Sequence, residues 1–591
     1  MNGDTTRRRP KAVGIIERRG SYWILACDPH VNVLLKRVFL RVDKASDTEI
    51  RIRSTPEVDR DIEWLRDRFV LDMSDKDEAL LHRGAEVMRE RERISIQVED
   101  GVYIPRTFGG MAKEPREYQR IAADLCLRNE AILVGDSMGL GKTITALTML
   151  AEPRTLPAVV FTISAGMSEQ WAAKVAEFLP HLRTHILAGA TPYDIPERCH
   201  QLAERRRRNA ARDGQPIPDA WSKGAYPDII ILPYSRMVGW MDVLKTRATT
   251  IIWDEVQELR HPDTLKFRAA TAIRSRATFC MGLSGTPIHG YGGQYFNVLE
   301  VIRPGALGER EEFHREWCVN ADEERKIRVK DPRAFGLHLR TAGLMIQRTR
   351  KDVGRELPAV TTTTVPVDSD LAVLAKVKSK AYELARVILG HSASTNFARM
   401  QAGGEMDRLM RQATGIAKAP AVATLVRMLV EQEGPVLVGA WHREVYSILA
   451  EELKDLAPVF YTGTETEKQK REALAAFLSG KTKVLILSLR AGAGIDGLQH
   501  VASQCVIAEL DWAPQIHDQF IARLARDGQT KPVFAYIPLG GGSDDVVSDV
   551  CGAKRANSEP IINVDEARAD AVQTDPDHIR KLAQAYIDAH K

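Results

Sequence analysis

Little in this chain points to a metal scaffold, a disulfide framework or a membrane. Its 591 residues hold seven cysteines (Cys27, Cys126, Cys199, Cys280, Cys318, Cys505 and Cys551), with no Cys-x-x-Cys pair and no clustered histidines. That pattern argues against structural zinc and against paired half-cystines. Several of these cysteines sit in apolar, strand-like runs, which predicts buried thiols in a reducing cytosol. No uninterrupted run of 18 apolar residues occurs, and no apolar segment follows MNGDTTRRRPK, so the expectation is a soluble intracellular protein without a secretion or membrane signal. A net excess of one charge sign is nearly lacking as well. A formal net charge of +4 does not announce a nucleic-acid binder, and any basic surface must be local. With 44% hydrophobic residues the protein can bury several cores, about three or four by usual domain sizes.

What is present begins at Ala131–Leu150, AILVGDSMGLGKTITALTML, which reads as a buried strand, a Gly-rich loop and a helix opened by Lys-Thr. Gly139 and Gly141 let main-chain N–H groups approach a polyphosphate without a Cβ in the way. Lys142 would neutralise β/γ-phosphate oxygens, and the Thr143 hydroxyl would hold Mg²⁺ at a helix N-terminus whose dipole favours anions. Asp136 stands where the general pattern G-x-x-x-x-G-K-[ST] has its first glycine. A second segment, TTIIWDEVQE (249–258), is a β-branched strand ending in Asp-Glu. There Asp254 would hold Mg²⁺ and Glu255 would orient and deprotonate the attacking water. FCMGLSGTP (279–287) runs a strand into a small-residue loop. In DWAPQIHDQFIARLAR (511–526), Gln519, Arg523 and Arg526 fall at spacings of four and three, which predicts one shared helix face presenting arginines to a γ-phosphate.

Together these segments resemble the Swi/Snf-type ATPases of helicase superfamily two, with closest similarity to the compact annealing-helicase branch. The family's loop reads D-E-M-G-L-G-K-T against DSMGLGKT here, so the resemblance accounts for Asp136 and includes Leu140 in the phosphate loop. Arg116, Tyr118 and Gln119 in PREYQR look like its adenine-reading segment. Trp171 resembles motif Ia, and Tyr234 and Ser235 resemble motif Ib. Ser284, Gly285 and Thr286 match the loop that couples hydrolysis to nucleic acid. Arg490 and Gly492, in SLRAGAGIDGLQ, match a motif V with displaced glycines. The stretch QRTRKDVGRELP is similar to the family's linker, and TGIAKAPAVATLV, VLVGAWHREV, AELDWAPQ and GQTKPV complete the likeness. Departures are Val256 and Gln257 in place of the usual Ala and His of the D-E-A-H box, Gln347 for a linker arginine and Arg350 for a lysine. The resemblance implies an α/β protein with two RecA-like parallel-sheet lobes in tandem, ATP and Mg²⁺ as cofactors, and duplex DNA as the preferred partner, with a monomer favoured.

The pattern of strands and helices predicts five parts. Residues 1–105 read as a small N-terminal α+β accessory domain, with GIIERRGSYWILA, LLKRVFLRV and EIRIRST as strands and Tyr22 and Trp23 as core aromatics. Residues 106–304 form the first ATP-binding lobe, in which strands ending in motifs alternate with helices. Within it the basic run ERRRR (204–208) reads as a solvated helix face or a DNA-backbone contact. Residues 305–417 read as a helical protrusion and linker, 418–540 as the second lobe, and 541–591 as a helical tail behind a Gly-Gly-Gly-Ser linker.

The function expected from these features is an ATP-dependent DNA translocase or remodeller, a DNA-dependent ATPase that moves along duplex DNA. Two alternatives stand beside it: a strand-separating DNA or RNA helicase, and a non-hydrolysing nucleic-acid clamp or scaffold. The sparse accessory domains favour a bacterial or phage setting.

Overall fold

The computed structural model describes residues 11–46, 49–217, 219–285, 293–319, 328–354, 358–389, 396–489, 495, 497–549, 551 and 584. The protein divides into two compact units, the first holding most residues up to Gln347 and the second most residues from Arg348.

The first unit opens with an antiparallel sheet of β1 (Gly14–Arg19), β2 (Tyr22–Cys27) and β3 (Ile50–Arg53). The segment LLKRVFLRV, expected as a strand, lies instead largely in helix α1 (Pro29–Val38). Pro29 is pre-set for a first helical turn, and Val31 and Leu35, four apart, share the buried face. Helices α2 (Pro56–Arg66) and α3 (Asp75–Glu99) pack on each other, and Trp23 is fully buried with its indole N–H donating to Asp59 at 2.6 Å.

The larger sheet of this unit comprises β4 (Ala131–Val134), β5 (Ala158–Thr162), β6 (Thr184–Ile186), β7 (Ile229–Pro233), β8 (Thr250–Asp254) and β9 (Phe279–Leu283). Helix α4 (Glu117–Asn129) leads into β4, and helices α5 (Lys142–Leu150), α6 (Ala165–Phe178) and α7 (Ile195–Arg212) connect the strands from β4 to β7. Every residue of β4, β5, β7, β8 and β9 is buried, the mark of a parallel sheet covered on both faces. The ERRRR run lies on α7, of which Ile195 and Cys199 are the buried residues.

After an antiparallel pair, β10 (Cys318–Val319) and β11 (Arg328–Val329), β12 (Met345–Ile346) joins the edge of the large sheet, giving the parallel order β12-β4-β9-β8-β5-β7-β6. In the second unit β13 (Val360–Pro366) begins another parallel sheet, with β14 (Val436–Ala440), β15 (Val459–Tyr461), β16 (Val484–Ser488), β17 (Gln504–Ile507) and β18 (Val533–Leu539) in the order β13-β18-β17-β14-β16-β15. Four strands, β10 to β13, therefore lie inside the segment expected to be helical. VTTTTVP is almost wholly exposed, so it carries β-branching but none of the apolar pattern that marks a core strand.

Three segments that carry the family likeness meet at one buried carboxylate. Glu509, in AELDWAPQ, accepts the backbone N–H of Trp441 at 2.6 Å and of His442 at 2.9 Å, and contacts the His442 ring nitrogen at 2.6 Å. A Cβ on Gly415 would lie 2.6 Å from this carboxylate, so the helix carrying TGIAKAP needs glycine there. The Gly-Gly-Gly-Ser segment is likewise a built turn rather than a spacer. Gly541 and Gly542 have φ of +75° and +66°, and Ser543 donates its N–H to Thr414 at 3.0 Å. Fully buried Lys418 donates to Pro538 C=O at 2.8 Å and pairs with Asp544 at 2.7 Å. The stretch Gln401–Gln432 that carries this lysine is long and apolar enough by composition to cross a membrane, and 61% of its most apolar window is buried inside the protein. All seven cysteines are free thiols, six of them buried.

Removing one member of a buried ion pair strands the other charge, which costs about 3–5 kcal/mol. Asp544→Ala should therefore lower the unfolding free energy of the second unit by that amount in urea titrations, and a loss below about 1 kcal/mol, the scale of an exposed pair, would contradict the pairing.

Candidate nucleotide site

Sheet order builds the site. β9 lies between β4 and β8, with Leu283 in register with both Val134 and Asp254. The loops leaving these three strands, the Gly-rich loop, the Ser284–Gly285 loop and the Asp254–Glu255 pair, thus emerge side by side at the carboxyl ends of adjacent strands, where open α/β sheets bind ligands. Ser284 is buried and donates its N–H to Val134 C=O at 3.1 Å, fastening two of the three loops together. Gly285 is half-buried, and Thr286 lies outside the described residues.

The Gly-rich loop takes the backbone that its glycines permit, with φ of +86° at Gly139 and +72° at Gly141, the residue before α5. Lys142 donates to the Asp136 C=O at 2.8 Å, while Asp136 and Leu140 are buried and Thr143 is half-buried. Gln119 is the prop for this loop. Its amide oxygen accepts the Arg116 N–H at 3.0 Å, and its amide nitrogen would come within 2.8 Å of any Cβ placed on Gly141. Tyr118, one residue before it, is mostly buried.

Two aromatic side chains fix Asp254 from opposite ends. The Trp171 indole N–H donates to its carboxylate at 2.8 Å, and the Tyr234 hydroxyl donates to its backbone carbonyl at 2.9 Å. Trp171 and Tyr234 are almost fully buried, so neither offers a face to a nucleic acid; Ser235, next in sequence, is exposed. Burial, then the neighbouring Glu255 carboxylate, pushes Asp254 up to about 7, while the Trp171 hydrogen bond and the Lys142 ammonium pull the other way. Glu255 itself has φ of +53° and ψ of +57°, a left-handed conformation that a glutamate adopts only at a cost. Gln257 explains how it is held. Its amide donates to the Glu255 carboxylate at 2.5 Å, a contact within the motif itself.

In the second unit the helix expected to carry three site residues is shorter than their spacing requires. It spans Pro514–Ile521, so Gln519 is helical while Arg523 and Arg526 lie in the turns that follow. There the Arg523 N–H bonds Phe520 C=O at 3.2 Å and the Leu524 N–H bonds Ile521 C=O at 3.0 Å, tightening the backbone toward Gly528, whose φ is +90°. Arg523 is buried, and Arg526 donates to Ile495 C=O at 3.1 Å. Arg490 and Gly492 lie outside the described residues.

Among the described residues no group of three or more His, Cys, Asp or Glu could hold a metal. A hard cation at Asp254 would have to complete its shell with water and phosphate oxygens, as Mg²⁺ does.

The model of the SNF2-related domain matches residues 30–419, more than half of the protein. The chain belongs to this family. It is similar to the "DNA repair and recombination protein RAD54-like" of Drosophila virilis, at 22% identity over 78% of this protein and 64% of that one. It is also similar to the human "DNA annealing helicase and endonuclease ZRANB3", at 23% identity over 71% of this protein and 37% of that one. It thus spans less than two-thirds of the length of these relatives. Among solved structures it resembles the Sulfolobus solfataricus SWI2/SNF2 ATPase core in complex with dsDNA, at 19% identity, with a TM-score of 0.36, over 78% of this protein and 96% of that one.

For this SNF2-related protein, the left-handed Glu255 yields a stability prediction. Glu255→Gly removes both a left-handed side chain and a carboxylate beside a buried one, and should raise the unfolding free energy of the first unit by about 1 kcal/mol in denaturant titrations. A loss of stability would show that Glu255 is not strained.

Proposed function

We propose that this protein is a DNA-dependent ATPase that hydrolyses ATP to move along duplex DNA. The observation that carries the reading is the adjoining pair Asp254 and Glu255, one buried with its carboxylate raised and the other in a strained backbone and pinned by Gln257. A clamp that never hydrolyses nucleotide has no use for that strain.

In this reading the N–H groups of Gly139, Leu140 and Gly141 and the Lys142 ammonium hold the polyphosphate, while Gln119 keeps the loop in shape and joins Arg116 and Tyr118 at the base. Thr143 and Asp254 would hold Mg²⁺, which would supply charge neutralisation at the phosphate oxygens. Glu255 accepts the proton of the attacking water and aligns it, and Gln257 keeps that carboxylate turned toward the phosphate. Trp171 and Tyr234 act as positioning residues through Asp254. Ser235, Ser284, Gly285 and Thr286 couple this chemistry to nucleic acid, joined by Arg490 and Gly492. Arg523 and Arg526 stabilise the charge that develops on the γ-phosphate, and Gln519 supports the same nucleotide.

Lys142→Ala and Glu255→Gln should fail differently. The first should weaken nucleotide binding together with turnover, whereas the second should bind ATP and DNA but stall; wild-type rates in both would place the catalytic site elsewhere. Arg523→Ala and Arg526→Ala should each lower kcat on the order of 10³-fold with ADP affinity nearly unchanged. A lowered melting temperature with normal specific activity of the folded fraction would make Arg523 a structural residue instead.

Duplex DNA should stimulate hydrolysis more than an equal length of single strand, and the stimulation should fall with salt because the contacts are to phosphates. Triplex displacement on blunt duplex should be positive, with forked-duplex unwinding near background. Efficient fork opening without activity on blunt duplex would favour a strand-separating helicase.

A further inference from the structure

Within the first unit, where α2 and α3 meet the segments that flank Gly305 and His338, lies a cavity of about 130 Å³, room for several water molecules or a compact anion. Its lining includes Ser54, Thr55, Glu57, Arg91, Arg303 and His338. It is formed by residues remote in sequence from the phosphate loop and has no part in the nucleotide chemistry described above.

The charges here do not balance. α3 carries the run RERER, and its outer arginines are satisfied: Arg89 pairs with Glu63 at 2.6 Å and Glu86 at 3.0 Å, and Arg93 pairs with Glu90. Arg91 turns inward and is 6% exposed. Its only hydrogen bond among the described residues is a long one, 3.4 Å to Ala342 C=O, and its Nε has no partner. Arg303 gives one N–H to Asn129 C=O at 2.6 Å and likewise meets no carboxylate at ion-pair distance among the described residues.

The nearby acids, Glu57 in the cavity wall included, have other partners. Glu57 is bound by Arg41 at 2.7 Å and contacted by His338 at 3.3 Å, and Glu300 accepts the Gly305 N–H at 2.9 Å. Glu130 acts on both guanidiniums from a distance. Burial, then repulsion from Arg303, pulls Arg91 down to about 9, so the protein environment opposes the charge it contains. A buried guanidinium with no carboxylate partner is among the costliest groups a fold can carry; Arg91 is such a group, and Arg303, half-buried, adds a second positive charge at the same cavity. A compact oxyanion between them would remove it and would use the guanidinium fork as phosphate recognition does. The first turn of α2, beginning at Pro56 behind the Thr55 cap, adds the favourable end of a helix dipole to the same cavity.

We infer that this cavity is a second anion site, distinct from the nucleotide loop, which takes a phosphoryl-class oxyanion between Arg91 and Arg303. The ligand is free phosphate or the phosphoryl end of a small phosphomonoester, and filling the site couples the N-terminal α/β segment to the large sheet of the first unit.

The test is thermal unfolding of the full-length protein in sodium phosphate, in glycerol 3-phosphate and in sodium chloride at matched ionic strength. Lys142→Ala should serve as the background, to silence the nucleotide loop. Phosphate should raise the melting temperature saturably by several degrees over chloride in that background. A larger shift with glycerol 3-phosphate would identify a phosphomonoester as the ligand, and a shift with inorganic phosphate alone would identify the free ion. Adding Arg91→Met, which keeps the packed stem, should abolish the increment and leave the melting temperature in chloride equal or higher, because the uncompensated charge is gone. Adding Arg91→Lys should retain a weakened increment. Absence of any phosphate-specific shift, an unchanged shift with Arg91→Met, or an Arg91→Met protein that is destabilised equally in all three salts would overturn the inference. None of these readouts depends on ATP hydrolysis, so failure here leaves the motor reading standing.

Discussion

The central constraint in this molecule is the burial of an acidic side chain, Asp254, at the end of a strand covered on both faces. A carboxylate in that position must be held by hydrogen bonds and offset by positive charge, or it protonates. Much of the first unit follows from that need. Trp171, on α6, and Tyr234, after β7, converge on it, and Phe161 stacks on the Trp253 ring beneath at a centroid distance of 4.5 Å. The Lys142 ammonium lies near enough to favour its charged form. The adjacent Glu255 then occupies a left-handed backbone conformation beside a like charge, an arrangement costly to the fold and useful to a hydrolase.

Much of this was legible in the sequence because the signals were local. A phosphate loop is a strand, glycines and a Lys-Thr pair in unbroken succession, and AILV, AVVFT, IIILP, TIIWD and FCMGL are apolar runs that parallel strands require. Non-local features were harder to read. LLKRVFLRV has β-branched and apolar content enough for a strand, but Pro29 and the spacing of Val31 and Leu35 decide for a helix. VTTTTVP pairs with β18 through its backbone while exposing its side chains, so no periodicity reveals it. The Gly-Gly-Gly-Ser segment resembles a spacer until Lys418, more than a hundred residues earlier, is seen to need Asp544.

The candidate site divides the same way. The residues expected to serve phosphate, cation and water stand in local motifs, and the structure brings Lys142, Asp254, Glu255 and Ser284 to the ends of neighbouring strands. Spacing alone misplaced Arg523 and Arg526 onto a helix face, because helical periodicity carries no notice of a helix that stops at Ile521. The exchange of His for Gln in the D-E-A-H box is a departure whose effect the sequence left open. At position 257 the amide holds the Glu255 carboxylate, a role that histidine and glutamine can share by donating a hydrogen bond. Trp171 and Tyr234, recognised by resemblance, act from inside the protein, on Asp254 rather than on a ligand surface.

The most direct measurement of what Asp254 does is single-turnover cleavage of γ-labelled ATP by wild-type and Asp254→Asn protein across a magnesium titration, with duplex DNA present. The substitution preserves shape and the Trp171 contact but removes the charge. If Asp254 is the buried anion around which the site is organised, the variant should need about 10–100-fold more magnesium or lose a similar factor in rate. Equal rates at equal magnesium would mean that the buried carboxylate is a structural residue and that the chemistry is organised elsewhere.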